Sequence, residues 1–233
     1  MTILAIDTAQ APLGLALAHE DRVLGEVITT SAIPHSRRLM PSLDFLMGQC
    51  DQARSDLSGL AVNLGPGFFT GLRTGLASVQ GLALGLELPV AGISALRLLA
   101  SSPAFDDGLI WAVADARRGL VYAAPFRRQG SELIRLEPDT ALSPPRLAER
   151  LTPPALLVGA GARMFADQLL GPGLTLAPAL FDQPRPGLLA LIGAERLRQG
   201  QGLAPEAIRP RYCRPSDAEV RFGLPLDEYR LIE

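Results

Sequence analysis

The chain has 233 residues, a net charge of -2 and a hydrophobic fraction of 48%. That is enough apolar mass for a packed core, and it lacks the basic excess on which a freestanding nucleic-acid binder relies. All 22 basic residues are Arg, which excludes a Walker A loop, Schiff-base chemistry and a kinase phosphate lysine.

Metal and thiol chemistry is nearly as constrained. The histidines are His19 and His35, and the cysteines are Cys50 and Cys213. Neither HExxH nor CxxC spacing occurs, so a zinc site of ordinary type is not expected, and the cysteines read as reduced hydrophobes. The opening run, MTILAIDTA, lacks a basic flank and is interrupted by Asp7, unlike a signal peptide. The stretch from Leu72 to Val90 carries Arg73, Glu87, Pro89 and three glycines, which makes it a poor membrane span. A soluble, cytoplasmic protein is expected.

In chain order, three strands come first: Ile3 to Asp7, Leu13 to Ala18 and Val23 to Thr29, joined by turns at 9–12 and 20–22. The period then changes. Leu39, Leu43, Leu46, Met47 and Cys50 fall on one face of a helix, with Pro41 in its first turn or at a kink. A buried strand from Leu60 to Leu64 runs into Gly65-Pro66-Gly67, followed by a helix from about Thr70 to Leu86. Leu88 to Gly92 reads as a strand, and Ser94 as the cap of a helix through Ala100.

The second half echoes the first. Ile110 to Asp115 matches Ile3 to Asp7, each a strand ending in Asp before a turn and a second strand, here Leu120 to Phe126. That pattern predicts a duplicated α/β fold. Ala155 to Val158 is a strand entering Gly159-Ala160-Gly161. Gly187 to Gln199 is a helix with Leu188, Leu191, Ile192 and Leu197 on or near one face, and the Pro-rich tail from Pro205 to Glu233 reads as extended.

Asp7 and Asp115 stand where an actin-like or sugar-kinase-like ATPase places its phosphate and Mg²⁺ carboxylates. Pro12 removes a backbone donor from the first hairpin tip, and Arg117-Arg118 crowd a metal at the second. An inherited hairpin scaffold without turnover is the favoured reading. Gly71, Gly75, Gly81 and Gly85 each cost about 1 kcal/mol in a helix interior. Four of them imply close backbone approach, either to the chain's own sheet or to a helix of another chain.

The stretches Ile3-Leu-Ala-Ile-Asp7-Thr8, His35-Ser36 with Leu39 and Pro41, and Gly65-Pro-Gly67-Phe-Phe-Thr70-Gly-Leu-Arg73-Thr-Gly75 resemble the TsaB family. So do Gly81 to Gly85, Asp115-Ala-Arg117-Arg-Gly119 with Val121-Tyr122, and Arg211-Tyr212-Cys-Arg214-Pro-Ser-Asp217-Ala-Glu219. The resemblance implies an actin/sugar-kinase-like (ASKHA) fold of two related lobes, expected at 1–102 and 103–233. It also implies a non-catalytic subunit in bacterial biosynthesis of threonylcarbamoyladenosine (t6A) on tRNA. Its partner would be TsaD, the paralogue that transfers threonylcarbamoyl to N6 of adenosine 37. TsaE would bind the pair, the chain alone would form a homodimer, and tRNA would be met only through the complex.

No cofactor is implied, and the HxxxH pair of the catalytic relatives is absent, because Leu39 stands four residues after His35. Phe68 and Leu120 depart from the family pattern at positions usually small and polar. The family's partner surface is built from the first two helices. On this chain that gives His35, Leu39, Leu43, Leu46, Met47, Leu72, Gly75, Leu76 and Val79 as interface residues, with Asp7 and Asp115 as vestigial phosphate-loop positions. Arg at Leu43 or Leu76 is then expected to abolish binding without unfolding. The rival is an enzyme of the same fold, an ATP-dependent kinase or a peptidase; a direct tRNA binder is a third reading, which the acidic pI opposes.

Overall fold

A computed structural model describes residues 1–102 and 105–214. In chain order the strands and helices begin with β1 (Thr2–Asp7), β2 (Leu13–His19), β3 (Arg22–Thr29), α1 (His35–Gln49), β4 (Leu57–Asn63), α2 (Phe69–Leu86), β5 (Val90–Ile93) and α3 (Ala95–Ala100). There follow β6 (Gly108–Asp115), β7 (Val121–Gln129), β8 (Glu132–Arg135), β9 (Thr140–Leu142), α4 (Pro144–Ala148) and β10 (Ala155–Val158). The last are α5 (Ala160–Met164), α6 (Ala166–Leu169), β11 (Leu174–Leu176) and α7 (Pro186–Arg198). The strands β8, β9 and β11 and the helices α4 to α6 are too short to give a readable period, and the sequence does not reveal them.

The described residues divide into two compact units, Met1–Ser94 with Arg185–Pro210, and 95–184 with 211–214. The boundary expected after residue 102 therefore differs from the observed one, and α7 returns to the first unit. α7 packs Pro186, Gly187, Leu189, Ala190, Gly193 and Ala194 on the sheet of that unit, and a polar contact fixes its start. Glu26 on β3 holds Arg185, and its Oε2 accepts a 2.6 Å hydrogen bond from Gly187 N in the first turn of α7.

Each unit carries the same sheet. The first runs β3-β2-β1-β4-β5 and the second β8-β7-β6-β10-β11, with β9 added on β7. In both, a three-stranded antiparallel meander is followed by two parallel strands on its inner side. The echo between Ile3–Asp7 and Ile110–Asp115 is thus a duplication of topology.

In the first unit, α1 and α2 cover one face of the sheet and α7 the other. The alternation of β3 shows this directly: Gly25 lies against Leu46 and Cys50 of α1, whereas Glu26 reaches α7. On α7 the sequence points to Leu188, Leu191, Ile192 and Leu197 as the inner face. The buried residues are instead Pro186, Gly187, Leu189, Ala190, Gly193 and Ala194. Small residues win because the helix lies close on the sheet; a Cβ at Gly193 would stand 2.4 Å from that of Ala61.

Pro41 lies inside α1, which begins at His35, before the apolar stripe that betrays it. The α7 start has no local side-chain cap, so Glu26 supplies the carboxylate that a helix N-terminus favours. Glu26→Ala is expected to lower stability by about 1–2 kcal/mol, read in a urea titration. A loss near zero would mean that Glu26 only decorates α7.

In the second unit one core lies around Trp111, Val121 and Leu157, and the other around Ile110, Tyr122 and Phe126 with Cys213. Asp139, buried, is held by Arg135 and lies 4.0 Å from Arg211. Of the Pro-rich tail, residues 205–208 are tied to α2 by Gln80, whose Nε2 donates to the carbonyls of Pro205 (3.1 Å) and Ile208 (3.2 Å). Residues 215–233, Asp217 and Glu219 among them, lie outside the described residues.

Candidate functional site

The first hairpin tip, residues 8–11, is packed against the Gly65-Pro66-Gly67 loop, the start of α2 and His35. Phe68 N donates to Ala9 O (2.7 Å), and Thr8 Oγ1 donates to Gly71 O (2.8 Å). A Cβ at Gly67 would meet Ala9 O at 2.2 Å, and one at Gly71 would meet Thr8 O at 2.1 Å. At Gly75 it would meet Thr8 Oγ1 at 2.1 Å. The loop is therefore a strand-to-helix turn closed on its own chain.

Asp7 is buried at the root of this tip. Its Oδ1 accepts from Ala9 N (2.9 Å) and its Oδ2 from Asn63 Nδ2 (2.9 Å), while Asn63 Oδ1 accepts from Gly65 N (2.9 Å). Burial pushes the Asp7 carboxyl above its ordinary value, opposed by those hydrogen bonds and by His35. His35 is half-buried, and its Nε2 lies 3.0 Å from Ala11 O. Asp115, in the second unit, accepts from Arg117 N (2.7 Å) and lies 3.7 Å from Arg117 Nε. Each carboxylate thus closes its own hairpin turn.

The sign of the Asp7 shift gives a test. A raised carboxyl adds stability below the ordinary carboxylate range, and that contribution is lost as pH rises through its folded value. Asp7→Ala leaves two buried donors unpaired, at about 1–3 kcal/mol each. Its deficit against the wild type is expected to be larger near pH 4 than near pH 7, as measured by thermal melts. A deficit that widens with rising pH would contradict this reading of Asp7.

The helices need a correction. Leu39, Leu43, Leu46, Met47, Leu72, Gly75, Leu76 and Val79, read as interface residues, are all buried within the chain. Leu43, at 0% exposure, is core, so Arg there cannot spare the fold. The error has a simple cause: a periodic apolar stripe marks the inward face of a helix whichever surface the outward face serves.

What the two helices present outward is different. On α1 it includes Pro41, Phe45 and Gly48; on α2 it includes Arg73, Ala77, Gly81, Leu84 and Gly85. Phe45 is 60% exposed and Leu84 63% exposed. Among the described residues beyond their own helical turns, nothing lies within 4 Å of a Cβ built at Gly81 or Gly85. The four helical glycines therefore divide, two serving the hairpin tip and two facing outward. Large exposed apolar side chains among small and polar residues are the signal that periodicity alone does not separate.

Comparison with known proteins adds to this geometry. A family model described as TsaD, tRNA N6-adenosine threonylcarbamoyltransferase, matches residues 22–222. The tRNA threonylcarbamoyladenosine biosynthesis protein TsaB of Bacillus subtilis is 36% identical over 229 residues, covering 95% of this chain and 98% of that protein. This chain belongs to the TsaB family. The Escherichia coli TsaB is 30% identical over 220 residues, covering 92% of this chain and 95% of the relative. In three dimensions, YeaZ from Pseudomonas aeruginosa superposes with a TM-score of 0.77 at 29% identity, covering 91% of this chain and 99% of that one.

The duplicated sheet is thus the actin/sugar-kinase-like fold that the resemblance implies. Among the described residues no group of three or more His, Cys, Asp or Glu is placed to hold a metal ion. No described helix is long and apolar enough to cross a membrane.

Proposed function

We propose that this chain is a non-catalytic, cytoplasmic subunit of the t6A-forming machinery. It supports a TsaD-type transferase that modifies N6 of adenosine 37, with TsaE joining the pair and tRNA met only through the complex. The contact surface is the outer face of α1 and α2, and in the partner's absence the same face pairs two copies of the chain.

The observation that carries this reading is the outward face itself. Phe45 lies exposed on α1, and Leu84 lies exposed on α2 with Ala77, Gly81 and Gly85, a combination that offers a partner large apolar side chains and, on α2, room for a close backbone approach. Glycine at 81 and 85 costs helix stability, and among the described residues nothing packs where its Cβ would be. A surface that must admit another backbone accounts for it. Asp7 and Asp115 fit the non-catalytic part, since each serves its own hairpin turn, Asp7 accepting from Ala9 N and Asn63 and Asp115 from Arg117 N.

The deciding experiment is size-exclusion chromatography with light scattering, on the chain alone and mixed with TsaD of the same organism. Conversion of a homodimer to a one-to-one complex is the expected result. An unchanged elution profile in the mixture would overturn the proposal.

A further inference from the structure

The C-terminal end of α2 forms one wall of a groove of about 430 Å³ whose opposite wall is the segment at 202–205. Both walls are fastened. Leu203 exchanges two backbone hydrogen bonds with Val90 at the edge of β5, 2.9 and 3.0 Å long, and Gln80 holds the carbonyls that follow. Ala83, Leu84, Leu88, Pro89 and Leu203 supply most of the lining. Leu84 and Leu203 stand 63% and 44% exposed on the two sides. Among the described residues that line it, Glu87 alone is charged, and it ends α2 with a left-handed backbone, φ 54°.

We propose that this groove is an anchor site for the protein that covers α1 and α2. It takes one large aliphatic or aromatic side chain, carried on a segment with a Lys or Arg placed opposite Glu87. The inference rests on the partner-subunit reading above and extends it to a surface that includes neither α1 nor the middle of α2. Continuity argues for it: Leu84 belongs both to the outward face of α2 and to the groove, so a partner seated on Gly81 and Gly85 arrives at the groove mouth. Rigid walls argue for it as well, because an anchor pocket already formed in the free protein is not ordered at the expense of binding. Charge completes the case, since a carboxylate beside an apolar slot selects an apolar anchor flanked by a cation.

The test titrates the TsaD of the same organism against four forms of the full chain, with circular dichroism checking the fold of each. The forms are the wild type, Ala77→Arg, Leu203→Asp and Glu87→Arg. Ala77→Arg, on the outward face, is expected to abolish binding. Leu203→Asp and Glu87→Arg are each expected to weaken it by about tenfold or more, with Glu87→Arg also flattening the salt dependence.

Loss with Ala77→Arg but wild-type affinity for both groove variants overturns the anchor site and leaves the partner reading intact. Wild-type affinity for Ala77→Arg overturns the assigned contact face and the anchor site with it, and no binding by the wild type overturns the partner reading as well. If Leu203→Asp does not fold, Glu87→Arg decides alone, because its side chain lies on the rim and supports no packing.

Discussion

Leu43→Arg is expected to unfold this protein, whereas Ala77→Arg is expected to leave it folded and unable to bind its partner. Both residues lie on the two helices proposed to meet TsaD, and the difference is one of direction. Leu43 is fully buried between α1 and the sheet, so Arg there carries an unpaired charge into a low-dielectric core. The cost is about 5 kcal/mol or more, comparable with the whole stability of a typical domain. Ala77 is exposed on α2, and Arg is nearly as good a helix former as Ala. Its melting temperature should move by only about 1–2 °C. Thermal melts together with light scattering in the presence of TsaD read both effects. A folded Leu43→Arg protein, or an Ala77→Arg protein that still forms the complex, would contradict the assignment of faces.

The second large effect concerns the glycines of α2, which sequence alone treats as equivalent. Gly81→Ala and Gly85→Ala place a methyl group where, among the described residues, nothing beyond the helix's own turns lies within 4 Å. Each should stabilise the free protein by about 0.5–1 kcal/mol, the usual gain of Ala over Gly in a helix. If these glycines are kept for close approach of a partner, the same variants should bind TsaD more weakly. Gly71→Ala and Gly75→Ala should do the reverse to stability. Their methyl groups would meet Thr8 O and Thr8 Oγ1, both at 2.1 Å; relief requires moving the hairpin tip at Gly71 and breaking the bond from Thr8 Oγ1 to Gly71 O at Gly75. A cost of about 2–3 kcal/mol is expected. Chemical denaturation of the four variants separates the pairs; uniform stabilisation would mean that the helix does not pack on Thr8.

Much of this protein is legible in its amino-acid sequence. The β-meander, the two long helices and the strand that repeats at Ile110–Asp115 follow from period and punctuation, because backbone geometry imposes them locally. The absence of Lys removes whole classes of chemistry whatever the fold. The run from Gly65 to Gly75 carries the family resemblance on residues that the hairpin tip leaves no room to change, as Gly67, Gly71 and Gly75 show.

Tertiary structure alone decided which face of each helix is outside. An apolar stripe tells that a helix buries one side, and it does so equally for a core and for an interface. Only the neighbours on the sheet show that Leu39, Leu43, Leu72 and Val79 are already covered, while Phe45 and Leu84 are not. The return of α7 to the first unit is likewise invisible in the sequence, because it depends on Glu26 meeting Arg185 and Gly187 across 159 and 161 residues of chain. Local pattern determined the elements; contacts between residues far apart in sequence determined which surfaces remain for a partner.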